Sequence, residues 1–126
     1  MVILAAGGII IQDNKVLLMY RINSTYPNMW SNPGGKIEPD ETPEQAIIRE
    51  VEEELGIKTR VKRYIVDYQD YEKEELIGVY KGFELEIIEG TPEVTEKDKA
   101  TEIKWFDLNN LPNNIAPYTL FYLDKL

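Results

Sequence analysis

Two short apolar runs open the chain and predict its first structural unit. Residues 5–11 and 16–20 are rich in Ile, Val, Leu and Ala, and the polar segment 12–15 separates them. Apolar runs of this length around a short polar turn are typical of a β-hairpin. We therefore expect two antiparallel strands at the start, followed by a loop over the polar segment 22–33, which contains two prolines.

Apolar residues recur at the helical period of 3.6 between positions 43 and 55. Thr42 is a suitable N-cap, Gln45 completes a capping box, and Gly56 is suited to end the helix. The apolar stripe on this helix consists of Ile47, Ile48, Val51 and Leu55. A helix over residues 43–55 is therefore predicted.

The second half of the chain returns to strand-like patterns. Residues 59–68 and 77–88 read as two antiparallel strands around an acidic turn at 70–75. A polar stretch at 89–101 precedes a short strand at 102–106, and residues 117–126 are expected to form a closing helix. The pattern predicts one domain, residues 1–126, of the α/β or α+β class, with helices packed on a mixed sheet.

Composition narrows the chemistry that this fold can carry. The 126 residues include no cysteine and no histidine, which excludes thiol nucleophiles, disulfides, Cys/His zinc sites and histidine-based triads. The 23 acidic residues leave carboxylate oxygens as the available ligands, and these suit hard cations such as Mg²⁺ or Mn²⁺.

Charge indicates what kind of partner to expect. The net charge of −9 argues against nucleic acid polymers and anionic membranes as partners, whereas a small anionic substrate bridged by cations stays compatible. The apolar start, residues 2–11, is too short for a membrane span and lacks a basic flank. We expect a cytoplasmic location, and either a monomer or a homodimer.

Three glutamates are expected to share one face of the helix at 43–55. At about 100° per residue, Glu50, Glu53 and Glu54 lie together, next to the apolar stripe. A solvated surface face is the ordinary interpretation of such a run, but that helix contains one cation, Arg49. Like charges at this spacing repel, and bound divalent cations would offset the repulsion.

Upstream of the helix, Gly34 and Gly35 follow Pro33. Glycine allows positive φ angles and a close approach of the backbone to a ligand, so a carbonyl oxygen here is a candidate metal ligand. A simple turn is the alternative.

These features together resemble a known family signature. The sequence Gly35-x5-Glu41-x7-Arg49-Glu50-Val51-x-Glu53-Glu54-x-Gly56-Ile57 matches the Nudix box, G-x5-E-x7-R-E-U-x-E-E-x-G-U with U apolar, at every specified position. The leading hairpin, Trp30 before the glycine pair and Trp105-Phe106 in a late strand extend the resemblance to Nudix hydrolases of the MutT type.

The resemblance implies an α/β/α sandwich in which the box forms a loop, a helix and a loop beside a mixed sheet. It implies Mg²⁺ ligation by Glu50, Glu53, Glu54 and the Gly34 carbonyl, with Glu53, Arg49 and Glu50 as the catalytic group. Glu53 would orient or deprotonate the attacking water, and Arg49 would orient Glu53. Glu41 would hold Arg49 and the loop in place.

A further acid from a late loop often joins this metal site in the family, six residues before a strand tryptophan. That position is Lys99 here. The candidates that remain open are Glu96, Asp98 and Glu102.

The substrate is less constrained than the chemistry. The favoured hypothesis is a MutT-like nucleoside triphosphate pyrophosphohydrolase that releases a monophosphate and pyrophosphate, with an oxidised purine as one candidate base. The alternatives are a pyrophosphatase for ADP-ribose, other sugar nucleotides or dinucleoside polyphosphates, and a non-catalytic nucleotide sensor. Arg21, Trp30 and Tyr118 are the expected substrate-binding residues, and Tyr20 and Phe83 are further candidates for base stacking.

Overall fold

The computed structural model describes residues 1–126, which form seven strands and two helices. In chain order they are β1 (Ile3–Gln12), β2 (Lys15–Arg21), β3 (Met29–Ser31), β4 (Gly34–Lys36), α1 (Pro43–Leu55), β5 (Lys58–Glu72), β6 (Glu75–Glu89), β7 (Ala100–Asp107) and α2 (Pro117–Asp124). Neither α1 nor α2 has the length and the apolar character that a membrane span requires.

The strands form one mixed sheet of seven strands. Strand β1 makes the predicted hairpin with β2, and the turn residues Asp13 and Asn14 have φ angles of 51° and 61°, as a tight two-residue hairpin turn requires. Along its length β1 also pairs in parallel with β6, which in turn pairs antiparallel with β5. The parallel pair makes the sheet mixed, as expected.

Two apolar clusters lie on opposite faces of this sheet. Ile10 belongs to the larger cluster, which includes Ile47 and Leu55 of α1, whereas its neighbour Ile9 belongs to the smaller cluster around Tyr122 of α2. Successive residues of a strand point to opposite faces, so α1 and α2 cover the two sides of the sheet. The predicted α/β/α sandwich is confirmed.

Helix α1 has the predicted bounds because its ends are fixed locally. The Thr42 hydroxyl accepts the backbone N–H of Gln45, and the Gln45 side chain accepts the N–H of Thr42. At the other end Gly56 has a φ of 67° and donates to the carbonyl of Glu52. Both orphaned ends of the helix are therefore partly satisfied by neighbouring residues.

Two expectations about loops were wrong. The segment 22–33, predicted to be a loop, contains β3, which pairs with β2. The acidic segment 70–75, predicted to be a turn, lies largely in β5 and β6, and the turn itself is confined to Lys73 and Glu74. In both cases pairing with a neighbouring strand determines the conformation of residues whose own composition favours a loop.

Candidate active site

Arg49 forms hydrogen bonds with several acidic side chains of the candidate site. Its guanidinium donates to both carboxylate oxygens of Glu41, at 3.1 Å from Nε and 2.6 Å from Nη2. Its Nη1 donates to Glu50 at 2.8 Å and to Glu53 at 3.2 Å, and Nη2 reaches the Lys36 carbonyl at 3.1 Å. One planar side chain therefore fixes three carboxylates relative to the loop before the helix.

The electrostatics of this network favour the charged forms of Glu41 and Arg49. The hydrogen bond to Arg49, followed by one from the backbone of Glu38, lowers the pKa of the Glu41 carboxyl below its usual value. The same contact with Glu41 raises the pKa of the Arg49 guanidinium. Glu41 is thus held as a carboxylate whose two oxygens both face Arg49.

Glu54 lies in a different environment, buried between the helix and the sheet. Its side chain is 3% exposed, and its Oε2 lies 2.9 Å from Nη1 of Arg21. Its Oε1 accepts the backbone N–H of Gly34 at 2.9 Å. Burial raises the pKa of the Glu54 carboxyl, and the charge of Arg21 opposes that shift.

This buried pair corrects the charge argument made from the helix alone. Arg49 is the sole cation on the helix, but Arg21 of β2 supplies a second counter-charge from 33 residues away. Arg21 also donates to the Ser31 hydroxyl at 2.8 Å and the Asn32 carbonyl at 3.3 Å. The repulsion among the glutamates is therefore already offset in part by protein groups.

Gly34 and Gly35 are required for close approach, but neither has the positive φ that was also expected. Both lie in β4, and the glycines with positive φ are elsewhere. A Cβ on Gly35 would stand 2.4 Å from the carboxylate carbon of Glu50, and a Cβ on Gly34 would stand 2.3 Å from the backbone oxygen of Ala6. The glycine strand therefore touches Glu50 on one side and β1 on the other.

The donor set of this region suits a hard divalent cation. Carboxylates of Glu50, Glu53 and Glu54 and backbone oxygens of the glycine strand are the ligand types that Mg²⁺ and Mn²⁺ prefer. No group of three or more acidic side chains converges here as a ready-made metal site. Arg49 contacts Glu50 and Glu53, and Arg21 contacts Glu54.

Among the three late-loop acids, Glu96 fits the site best. Its Oε1 is buried without a hydrogen-bond partner, and the preceding residue, Thr95, donates its N–H to the carbonyl of Glu54 at 3.1 Å. Asp98 and Glu102 are exposed. An orphaned buried carboxylate oxygen is costly without a partner, and a cation would supply one.

A cleft of about 200 Å³ opens beside the glycine strand. Gly34, Gly35 and Arg21 form part of its wall. Another part is tyrosine, namely Tyr26, Tyr80, Tyr118 and Tyr122. The cleft thus joins a polar region, which contacts the buried Glu54, to an aromatic region.

The structure brings some of the expected substrate-binding residues to this cleft and not others. Arg21 and Tyr118 line it, although the Arg21 guanidinium is occupied by Glu54. Trp30 does not line it: the indole packs edge-on against Phe106 at 4.8 Å and Tyr20 at 5.3 Å in the smaller apolar cluster. Phe83 is buried in the larger cluster. Trp30, Tyr20 and Phe83 are therefore packing residues in this structure.

Sequence reasoning missed three residues at the aromatic region: Tyr26, Tyr80 and Asp70. Asp70 was assigned to an acidic turn, yet it is 2% exposed. The period of two that places Val66 and Tyr68 on one face of β5 also places Asp70 there, so extending the strand by two residues would have found it.

Comparisons with known proteins agree with this architecture. The family model for the NUDIX domain matches residues 1–123. The chain is 39% identical over 111 residues to an ADP-ribose pyrophosphatase from Methanocaldococcus jannaschii, covering 86% of this chain and 63% of that protein. It is 44% identical over 64 residues to a CTP pyrophosphohydrolase from Escherichia coli, covering 50% of this chain and 47% of that protein.

A solved structure gives the same result for the fold. The chain resembles the crystal structure of a MutT NUDIX hydrolase from Burkholderia pseudomallei with a TM-score of 0.86 at 30% identity, and the match covers 100% of this chain and 98% of the other. The chain spans less than two thirds of the length of the two curated relatives.

Proposed function

The chain belongs to the Nudix family, and from this premise we propose that it hydrolyses the phosphoanhydride bond of a nucleoside diphosphate linkage with the help of a divalent cation. One observation carries the proposal. The glycine strand β4 contacts Glu50 and Glu54 and also lines the cleft that continues to the tyrosines. A nucleotide bound in this cleft places its phosphates beside the acidic helix and its base among aromatic rings.

We assign Mg²⁺, with Mn²⁺ as the alternative, to Glu50, Glu53, Glu54 and the Gly34 carbonyl. Glu96 is proposed as the late-loop ligand because its Oε1 lacks a protein partner. When bound, the cation supplies charge neutralisation of the phosphates and lowers the pKa of a water ligand.

Glu53 is proposed to orient the attacking water and to accept its proton. Its side chain is 49% exposed and its carboxylate is held by Arg49 at 3.2 Å. Glu53 is therefore accessible to water, and its orientation is fixed by Arg49. Arg49 in turn is held by Glu41. The water then attacks phosphorus in line with the leaving phosphate, and no covalent enzyme intermediate is required.

Arg21 is proposed to act chiefly through Glu54. Its guanidinium fixes the buried carboxylate at 2.9 Å and lies at the wall of the cleft. With a cation held by Glu54, Arg21 would be placed to direct one of its donors at a substrate phosphate in the cleft. Tyr118 is proposed as a contact for the base.

Nucleoside triphosphates are the leading substrate class, with a nucleoside monophosphate and pyrophosphate as products. The 44% identity over 64 residues to the CTP pyrophosphohydrolase from Escherichia coli supports this choice. ADP-ribose is the second candidate, supported by the 39% identity to the pyrophosphatase from Methanocaldococcus jannaschii.

A panel of nucleotides with Mg²⁺ tests the proposal. Each of GTP, dGTP, 8-oxo-dGTP, CTP, ADP-ribose and a dinucleoside tetraphosphate is incubated with the protein, and the products are separated by anion exchange. Monophosphate and pyrophosphate in equal amounts from a triphosphate is the expected result. Preference for ADP-ribose over every triphosphate would select the second candidate, and no turnover on any compound would indicate a nucleotide sensor.

A further inference from the structure

Asp70 is a buried acid that has no role in the proposed reaction. It lies near the end of β5 and is 2% exposed. Its Oδ1 accepts the hydroxyl of Tyr26 at 2.8 Å, and its Oδ2 accepts the hydroxyl of Tyr80 at 2.7 Å. Asp70 forms no ion pair with any Lys or Arg, so two neutral hydroxyls are its side-chain partners.

These two hydrogen bonds hold both tyrosines as donors. Burial, and next to it the hydrogen bond to Asp70, raises the pKa of the Tyr26 and Tyr80 hydroxyls. Hydrogen bonds to a carboxylate are stronger than those between neutral groups. Each ring is therefore fixed at its hydroxyl end as well as by packing.

Tyr26 belongs to the segment between β2 and β3, which is anchored at its two ends. The Asn23 side chain donates to the Asp98 carbonyl at 3.0 Å, and the backbone N–H of Asn28 donates to the Arg21 carbonyl at 2.7 Å. Between these anchors, the Tyr26 hydroxyl supplies the hydrogen bond that ties the segment to the sheet. Asp70 therefore fixes the position of this segment, which forms one wall of the cleft.

The fixed rings line the cleft in which a base would lie. Tyr26 and Tyr80 each have their ring centre 5.9 Å from that of Tyr118, and all three line the cleft. Rigid aromatic walls favour a planar base because little conformational freedom is lost on binding. An unpaired carboxylate behind the walls disfavours a phosphate-rich group in the same position.

We propose that Asp70 is a positioning residue that fixes Tyr26 and Tyr80 as the walls of a nucleobase subsite. The subsite selects phosphorylated compounds that carry an aromatic base over those that carry the sugar alone. This inference rests on the proposed function, since it assigns the phosphates to the glycine strand.

The test compares ligands with and without a base in three variants. Tyr26→Phe removes one hydroxyl from a partly exposed residue and should not unfold the protein, and Asp70→Asn removes the charge. Tyr64→Phe is the matched control, because the Tyr64 hydroxyl also donates to an aspartate, Asp67 at 2.6 Å, but on an exposed surface outside the cleft. Calorimetry measures the binding of GMP and of ribose 5-phosphate in Mg²⁺ buffer.

We expect the unmodified protein to bind GMP at least ten-fold more tightly than ribose 5-phosphate. Loss of a hydrogen bond to a charged group should weaken GMP binding by about ten-fold in Tyr26→Phe and Asp70→Asn, with ribose 5-phosphate unchanged. Tyr64→Phe should change neither. With GTP as substrate, KM should rise by a similar factor while kcat changes less than about two-fold.

Equal weakening of both ligands, or no weakening of GMP, would overturn the assignment, as would equal affinity of the unmodified protein for the two ligands. The binding measurement does not depend on turnover. If the protein binds GMP more tightly than ribose 5-phosphate, as expected, but hydrolyses no nucleotide, the result supports the base subsite and contradicts the proposed hydrolysis.

Discussion

Replacing Arg21 with methionine removes the cation that faces the buried Glu54 carboxylate. The two side chains are 10% and 3% exposed, and their charged atoms lie 2.9 Å apart. Methionine keeps an apolar stem in the same space, so the main loss is the counter-charge. Breaking a buried pair by removing one partner costs about 3–5 kcal/mol, and we expect a loss of this size in the free energy of unfolding.

Arg60→Met is the matched control. Arg60 and Glu86 lie 2.8 Å apart, but they are 66% and 44% exposed, and such a surface pair contributes at most about 1 kcal/mol. Urea unfolding followed by tryptophan fluorescence measures both variants. With a slope of about 2 kcal/mol per molar urea, the midpoint should fall by about 1.5–2.5 M for Arg21→Met and by less than about 0.5 M for Arg60→Met.

A double variant separates the lost contact from the orphaned charge. Adding Glu54→Gln to Arg21→Met removes the uncompensated carboxylate, so part of the stability should return. A loss in Arg21→Met no larger than that in Arg60→Met would refute the view that Arg21 holds Glu54 in place.

Three further predictions follow from the site and its surroundings. Gly35→Ala places a Cβ 2.4 Å from the Glu50 carboxylate, so kcat should fall at least about ten-fold with little loss of stability. In Gly34→Ala the new Cβ would instead clash with the backbone of β1, so this variant should chiefly have a lower melting temperature. Arg49→Lys keeps the charge but loses the fork that holds Glu41 and Glu53, and kcat should fall by about 10–100-fold in steady-state assays. Urea midpoints should fall as pH rises above about 10, because several tyrosines have folded-state pKa values above their unfolded value of about 10; a midpoint that stays level to pH 11 would contradict this prediction. These tyrosines are Tyr26, Tyr64, Tyr68, Tyr80 and Tyr122.

Helix α1 could be predicted from sequence with its bounds because the signals that define it are local. The capping box at Thr42 and Gln45 and the left-handed Gly56 lie within a turn of the helix ends, and the apolar stripe repeats within the helix itself. The placement of Glu53 beside Arg49 follows from the i,i+4 spacing of the helix. Such features need no knowledge of distant partners.

The remaining features depend on residues far apart in the chain. Arg21 and Glu54 are 33 residues apart, and nothing in either segment indicates the other. Strands of three residues such as β3 and β4 have no periodicity to detect, and pairing with β2 and β1 creates them. The burial of Asp70 depends on two tyrosines from other segments. The acidic residues near Asp70 in the sequence, considered without these partners, predicted a turn.

The kcat of Glu53→Gln with Mg²⁺ and the best substrate of the nucleotide panel tests the account most directly. Glu53 is accessible and aimed by Arg49, so loss of its proton acceptor should lower kcat by about 10²–10⁴-fold, with circular dichroism and melting temperature unchanged. Glu52→Gln, on the same helix and exposed to solvent, should keep kcat within about two-fold. Equal rates in the two variants would contradict the claim that the acidic face of α1 performs the hydrolysis.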